Sequence, residues 1–263
     1  MSWRGGRSFA RKRTAWRVAS GLMRFRRLLA RAIFAIGRYD HRSTVRPTDG
    51  VGVLVGAPHT SNWDFILMLA IAWDLGITVK YFGKKSLFKR PFGWFMRALG
   101  GIPVDRSNPA GLVDAVVARL EAGERFYLVV TPEGTRGKGR YWRSGFLRIA
   151  TAANLPITLG YVDNPTRTTG LGLTFMPTGD VRADMDVVRA FYADKHGVRP
   201  ALRTEPRLRE EDALDAADAA RTDAPASATT PAGEPEKSPS STTSSSTAPA
   251  GTTPSGSDAS SGA

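Results

Sequence analysis

The chain has 263 residues, no cysteine and a formal net charge of +13. That length allows one large domain or two small ones, and the missing cysteine excludes a disulfide framework and any cysteine-ligated metal. Residues 1–50 carry 13 Lys/Arg against 2 Asp/Glu, residues 51–200 carry 19 against 12, and residues 201–263 carry 5 against 10, so most of the excess sits in an N-terminal arm that wants an anionic partner.

Within this arm Val18, Leu22, Phe25, Leu29, Ile33 and Ile36 step by three or four residues and fall on one helical face. Arg17, Arg24, Arg27, Arg31 and Arg38 fall on the opposite face, and only Arg26 strays. The pattern fits a helix lying in a membrane interface, apolar face in the acyl boundary and arginines at the headgroups. The alternative is a helix docked on the protein's own core with a solvated basic face. Nucleic acid is not the expected partner, because no helix-turn-helix pair, zinc ligands or stacking platform accompany the charge. The apolar run at 28–36 is broken by Arg31, unlike a secretory signal. No charge-free apolar stretch reaches the roughly 18 residues read as a spanning helix. The expected location is therefore peripheral, on the cytoplasmic face of a membrane.

Short β-rich runs and helical patterns then alternate. The sequence predicts a strand at 51–56, a helix at 64–75, a strand at 77–82 and an aromatic-rich helix at 87–99 interrupted at Pro91. Asn108 suits an N-cap with Pro109 at the first helical position, Leu112, Val113, Val116, Val117 and Leu120 follow at helical spacing, and Gly123 suits the stop. A strand at 126–130, a helix at 144–153, strands at 157–162 and 171–175, and a helix at 183–195 complete the series. Such alternation argues for an α/β fold layered around one sheet. The expected organisation is a basic amphipathic arm (1–45), one α/β domain (46–200), a solvated helix (201–222) and a disordered Ala/Ser/Thr/Pro tail (223–263) without large apolar residues to bury.

Three places carry residues suited to chemistry. His59 follows the predicted strand at 51–56 and precedes a polar step into an apolar helix, which is where open α/β sheets bind ligands. Asp64, five residues on, can orient the imidazole, or it can simply cap the helix. Second, Thr131-Pro132-Glu133-Gly134-Thr135-Arg136 puts a glycine turn and an arginine after a strand, a donor set suited to phosphate, with Glu133 able to orient the arginine. Third, Gly100-Gly101-Ile102-Pro103-Val104-Asp105-Arg106 releases a helix into a short extended piece ending in an arginine. His41 lies in a charged stretch, and His196 at a helix end, where it more naturally caps or faces solvent.

Taken in order, His59 with Asp64, the glycine-rich block ending in Arg106, Glu133-Gly134-Thr135-Arg136 and the strand with Pro156 resemble the glycerophospholipid acyltransferase family, which includes the 1-acylglycerol-3-phosphate acyltransferases. The resemblance covers about residues 50–200 and leaves departures at Pro58, at Pro103 and at the single proline of the last block, and the second to fourth blocks of the family shape the acceptor and acyl pockets. It implies a single domain with a central mixed sheet flanked by helices. It also implies that His59 is a general base oriented by Asp64, and that Arg106 and Arg136 hold the acceptor phosphate. Glu133, Gly134 and Thr135 would shape that site, with Lys84 a further phosphate contact. The acyl donor would be acyl-CoA or acyl carrier protein, with no metal or other cofactor. The partners would be membrane lipids and a lysophospholipid acceptor; the sequence sets no oligomeric state. An apolar groove for the chain could use residues 65–69 or 88–95, which could equally be core. The competing reading is a basic membrane- or nucleic-acid-binding protein whose α/β domain is a non-catalytic scaffold.

Overall fold

A computed structural model describes residues 6–47, 50–104 and 110–222. Seven strands form one mixed sheet, in the order β1-β7-β6-β2-β5-β3-β4. The strands are β1 (Asp40–His41), β2 (Gly52–Ala57), β3 (Val79–Lys84), β4 (Gly101–Val104), β5 (Tyr127–Val130), β6 (Ile157–Asp163) and β7 (Thr168–Phe175). All neighbours are parallel except β6 and β7, which form an antiparallel pair. The central strand β2 is almost continuously buried, as expected of a parallel strand covered on both faces. Its side chains still alternate: Val53 and Val55 enter one core cluster and Leu54 the other, the period of two that a pleat imposes.

Two helical layers cover the sheet. On one face lie α1 (Gly6–Gly37), α2 (Asn62–Leu75) and α3 (Gly93–Ala98), which contribute Ala30 and Phe34, Leu67 and Ile71, and Met96 to a shared cluster. On the other lie α4 (Ala110–Glu121), α5 (Gly145–Ala152) and α6 (Val181–Tyr192), through Val116, Phe146 and Met185. Sandwiched between α1 and the sheet, α2 is apolar nearly all round. It starts in a capping box at Ser61 and Asp64 and ends on Gly76 at φ 71°, a left-handed stop that glycine adopts without steric cost. That stop also explains why β3 begins at Val79 rather than at residue 77: the Ile77 amide is still bonded back to Ala72.

The helix predicted at 87–99 is broken, as Pro91 implies, into a 3-10 turn (Lys85–Phe88) and α3. Strand β7 starts three residues earlier than predicted, because Thr168 and Thr169 pair with β6 on one side and β1 on the other. The run at 206–222 forms α7 (Arg209–Thr222), and it is anchored: Leu208 is fully buried, and the Glu211 carboxylate accepts from Arg189 Nη1 at 2.6 Å. The remainder of α7 is largely solvated, as expected of its charge. In α1, side chains are described from residue 21 onward. Ala30, Phe34 and Ile33 dock toward α2, while Leu22, Phe25, Leu29 and Ile36 stay exposed. The expected cap at Asn108 and Pro109, Asp105 with Arg106, and the tail from residue 223 lie outside the described residues.

Candidate active site

Because β2, β5, β3 and β4 are mutually parallel, the loops that leave their C-terminal ends emerge along one sheet edge. His59 follows β2, and residues 131–136 follow β5. This topology brings two segments far apart in sequence onto the same site, at the strand ends where open α/β sheets bind ligands.

His59 and Asp64 meet there. Imidazole Nδ1 lies 3.5 Å from Asp64 Oδ2, with the histidine side chain 19% exposed and the aspartate 7%. The same Oδ2 accepts the backbone amides of Thr60 and Ser61, both at 2.6 Å. Asp64 is thus both the helix cap and the neighbour of His59, so the two readings open in the sequence coexist. Its second oxygen, Oδ1, is buried with no hydrogen-bond partner. Burial lowers the His59 pKa to about 4, and the nearby Arg136 charge pushes it the same way. Burial raises Asp64 to about 6 against the lowering effect of its two backbone donors, Arg136 and Arg199. At neutral pH the imidazole is therefore uncharged and the carboxylate mostly ionised, the pairing that a general base needs.

Glu133 does not orient Arg136. Its Oε1 accepts the backbone amide of His59 at 3.0 Å, and its Oε2 is buried without a partner. Burial raises its pKa to about 7, helped by the Asp64 charge. Gly134 turns the chain at φ 70°, a left-handed backbone conformation that favours glycine. Beyond that turn Thr135 and Arg136 are exposed.

A cleft of about 400 Å³ opens beside His59, lined by Thr60, Ser61, Asn62, Trp63, Arg136 and Arg199. Arg199 had not been anticipated. Its amide donates to the buried Thr60 hydroxyl at 2.9 Å, just after Gly197 at φ 69°. The only sequence signal was a glycine turn followed two residues later by an arginine, the pattern that marked Arg136. Lys84 is exposed at the end of β3, on the same sheet edge but outside the lining of this cleft. Arg106 lies outside the described residues, two positions beyond the end of β4. His41 is structural: it stacks on Phe34 and bonds Asp74 and Ser43 at 2.9 and 2.7 Å. His196 sits beside Asp163, with its Nδ1 3.4 Å from the carboxylate. Among the described residues no group of three or more His, Cys, Asp or Glu is placed to hold a metal ion.

The family model described as Acyltransferase matches residues 39–160. The 1-acyl-sn-glycerol-3-phosphate acyltransferase of Streptococcus pneumoniae is 33% identical over 98 residues, 36% of this chain and 36% of that protein. A chloroplastic 1-acyl-sn-glycerol-3-phosphate acyltransferase of Brassica napus is 31% identical over 126 residues, 46% of this chain and 35% of that protein. The matched stretch spans about a third of the length of these curated relatives. Among solved structures, the 1-acyl-sn-glycerophosphate (LPA) acyltransferase PlsC from Thermotoga maritima aligns with a TM-score of 0.45 and 19% identity, covering 67% of this chain and 88% of that one.

Proposed function

We propose that this chain is a member of the glycerophospholipid acyltransferase family, which its match to the Acyltransferase model and to curated relatives supports, and that it moves a fatty acyl group from a thioester donor to the hydroxyl of a lysophospholipid or glycerophosphate, with 1-acylglycerol-3-phosphate the favoured acceptor in phospholipid synthesis. The observation that carries this reading is the placement of a half-buried, uncharged His59 against the Asp64 carboxylate, next in sequence to Thr60 in the wall of a cleft that Arg136 and Arg199 also line.

In the proposed step Asp64 faces Nδ1, which leaves Nε2 of His59 to take the proton of the acceptor hydroxyl. The acceptor oxygen attacks the thioester carbonyl carbon, a C–O bond forms, and the C–S bond breaks. The proton held by the imidazolium passes to the departing thiolate, so an ester and a free thiol result and His59 returns to its neutral form. The 3.5 Å contact between His59 and Asp64 is long for a hydrogen bond, as catalytic contacts without substrate often are. A transient positive charge on the imidazole shortens it. Arg136 and Arg199 bind the acceptor phosphate, with Lys84, at the end of β3, and Arg106 as further phosphate contacts. Glu133 fixes the His59 backbone, and Gly134 and Thr135 shape the turn that carries Arg136. The donor is acyl-CoA or acyl carrier protein, and no further cofactor takes part.

The favoured acceptor is a lipid, and no helix of the described residues is long and apolar enough to cross a membrane. Attachment at the cytoplasmic face through the exposed apolar stripe of α1 is the proposed solution. The test is an acyl-transfer assay on the full chain, with a panel of lysolipids and glycerophosphate against both donors. An acylated 1-acylglycerol-3-phosphate product is expected; no acylated product from any donor and acceptor pair would overturn the reading.

A further inference from the structure

We infer that the segment from Lys85 through Phe95 is a second lipid-facing surface, one that seats these aromatic side chains in an anionic bilayer independently of α1. Four large apolar side chains stand out of it: Leu87 is 50% exposed, Phe92 71%, Trp94 72% and Phe95 46%. Trp94 and Phe95 pack edge to face with ring centroids 6.0 Å apart, so they form one patch. Clustered exposed aromatics of this kind mark a contact surface, where a scattered single residue would not.

The segment is held firmly from below. Phe88 is buried between β3 and β4, so close that a Cβ on Gly83 or Gly101 would lie 2.7 or 2.8 Å from its ring. Met96 and Leu99 face the core, and Tyr81 donates its hydroxyl to the Met96 carbonyl at 3.2 Å. The outward aromatics Phe92, Trp94 and Phe95 are therefore displayed by anchored backbone and are not core residues, whereas Phe88 is.

The charge around the patch selects the partner. Lys85, Lys89 and Arg90 are exposed beside the aromatics, and residues 84–104 hold five Lys/Arg and no Asp or Glu. Tryptophan and phenylalanine flanked by cations are the composition of an interfacial contact, rings at headgroup level and ammonium and guanidinium groups on anionic lipid. None of these side chains lines the cleft beside His59. A protein partner needs a complementary shape; a fluid lipid surface accepts protruding rings as they are. The segment follows β3 directly, at the edge where the loops after β2 and β5 meet, and α3 lies in the same helical layer as α1.

A cysteine-free chain allows a single environment-sensitive dye on Trp94→Cys, with Thr151→Cys on α5, in the opposite helical layer, as the control. The probe is vesicles of phosphatidylglycerol and phosphatidylcholine, with neither donor nor acceptor present, so this inference and the proposed acyl transfer can fail separately. The dye at position 94 should shift to the blue and brighten on vesicles while that at position 151 does not. Phe92→Ser with Trp94→Ser, its fold checked by circular dichroism, should bind these vesicles about tenfold more weakly. Lys89→Glu with Arg90→Glu should lose affinity for anionic vesicles and little for pure phosphatidylcholine. An aqueous spectrum at position 94 in the presence of vesicles overturns the inference, as does unchanged affinity of the serine variant. A blue shift with acyl carrier protein but not with vesicles also overturns it, by assigning the patch to a protein.

Discussion

The backbone amide of His59 donates to Oε1 of Glu133 at 3.0 Å, joining the loop after β2 to the loop after β5 across 74 positions of sequence. The candidate base is thus positioned twice. Asp64 faces its ring and Glu133 holds its backbone, and both carboxylates are buried. A buried carboxylate with an unpaired oxygen is destabilising, and each of these two has one. The stability given up there serves an imidazole held next to the cleft wall at Thr60.

Replacing His59 with Ala should reduce acyl transfer by on the order of a hundredfold or more while leaving the fold intact. Steady-state turnover with the preferred acceptor, beside a thermal melt, is the check. Near wild-type turnover in a folded His59→Ala protein would end the mechanism.

Much of this site was legible because its residues act locally. His59, Asp64 and the turn at Gly134 lie at strand ends that apolar runs and glycine already mark. What could not be read was long-range pairing. Nothing near Glu133 in sequence says that it accepts from His59 rather than orienting Arg136, because that bond depends on β2 and β5 being neighbours. Arg199 was hidden for the same reason: its place comes from the amide bond to Thr60. In the fold, β1 escaped notice because two residues carry no periodicity, and the early start of β7 because Thr168 and Thr169 join the strand through pairing with β6 and β1, which is long-range.

Arg136→Ala should raise the pKa of His59 from its value of about 4, because the guanidinium is one of the two causes that lower it. Burial, the larger cause, is untouched, so the new value should stay below the ordinary 6.5. Imidazole titration by NMR reads this directly; an unchanged or lower pKa refutes the assignment. The same variant should raise the KM for a phosphate-bearing acceptor, and Arg136→Lys should recover only part of it, since an ammonium does not reproduce the fork. Bound phosphate offsets the same charge, so His59 should titrate higher in the acceptor complex than in the free protein.

Glu133→Gln tests the buried acid. The folded-state pKa of Glu133 is raised to about 7 from an ordinary 4.5. Its contribution to stability is therefore fully present below about pH 4.5 and lost as pH rises through about 7. Glutamine keeps a carbonyl to accept the His59 amide and stays neutral throughout. The melting temperature of Glu133→Gln relative to wild type should climb between these two pH values and level off above them. A gap that is the same at both ends would mean that Glu133 does not titrate in this window.

Arg199→Ala should weaken acceptor binding in the manner of Arg136→Ala, with a raised KM and a smaller change in kcat, since a phosphate contact acts on ground and transition state alike. Its backbone bond to Thr60 does not depend on the side chain, so the melt should barely move. An unchanged KM would remove Arg199 from the phosphate site.

The proposed interfacial role of α1 rests on its exposed side chains. Ile33 packs toward α2, so charging it would damage the fold as well as any lipid contact. Phe25, 62% exposed, and Leu29, 38% exposed, belong to the outward stripe instead. Phe25→Asp with Leu29→Asp should leave the melt nearly unchanged and weaken binding to anionic vesicles. Arg24, Arg27, Arg31 and Arg38 stay in place and exposed in that variant. Each cation near an anionic surface contributes on the order of 1 kcal/mol, so binding should weaken without vanishing, and what remains should be more salt-sensitive than in the wild type. Activity on vesicle-embedded acceptor should fall further than activity on a micellar one. If the double variant still sediments with anionic vesicles at physiological salt as the wild type does, the stripe is not an anchor, and attachment must come from another surface.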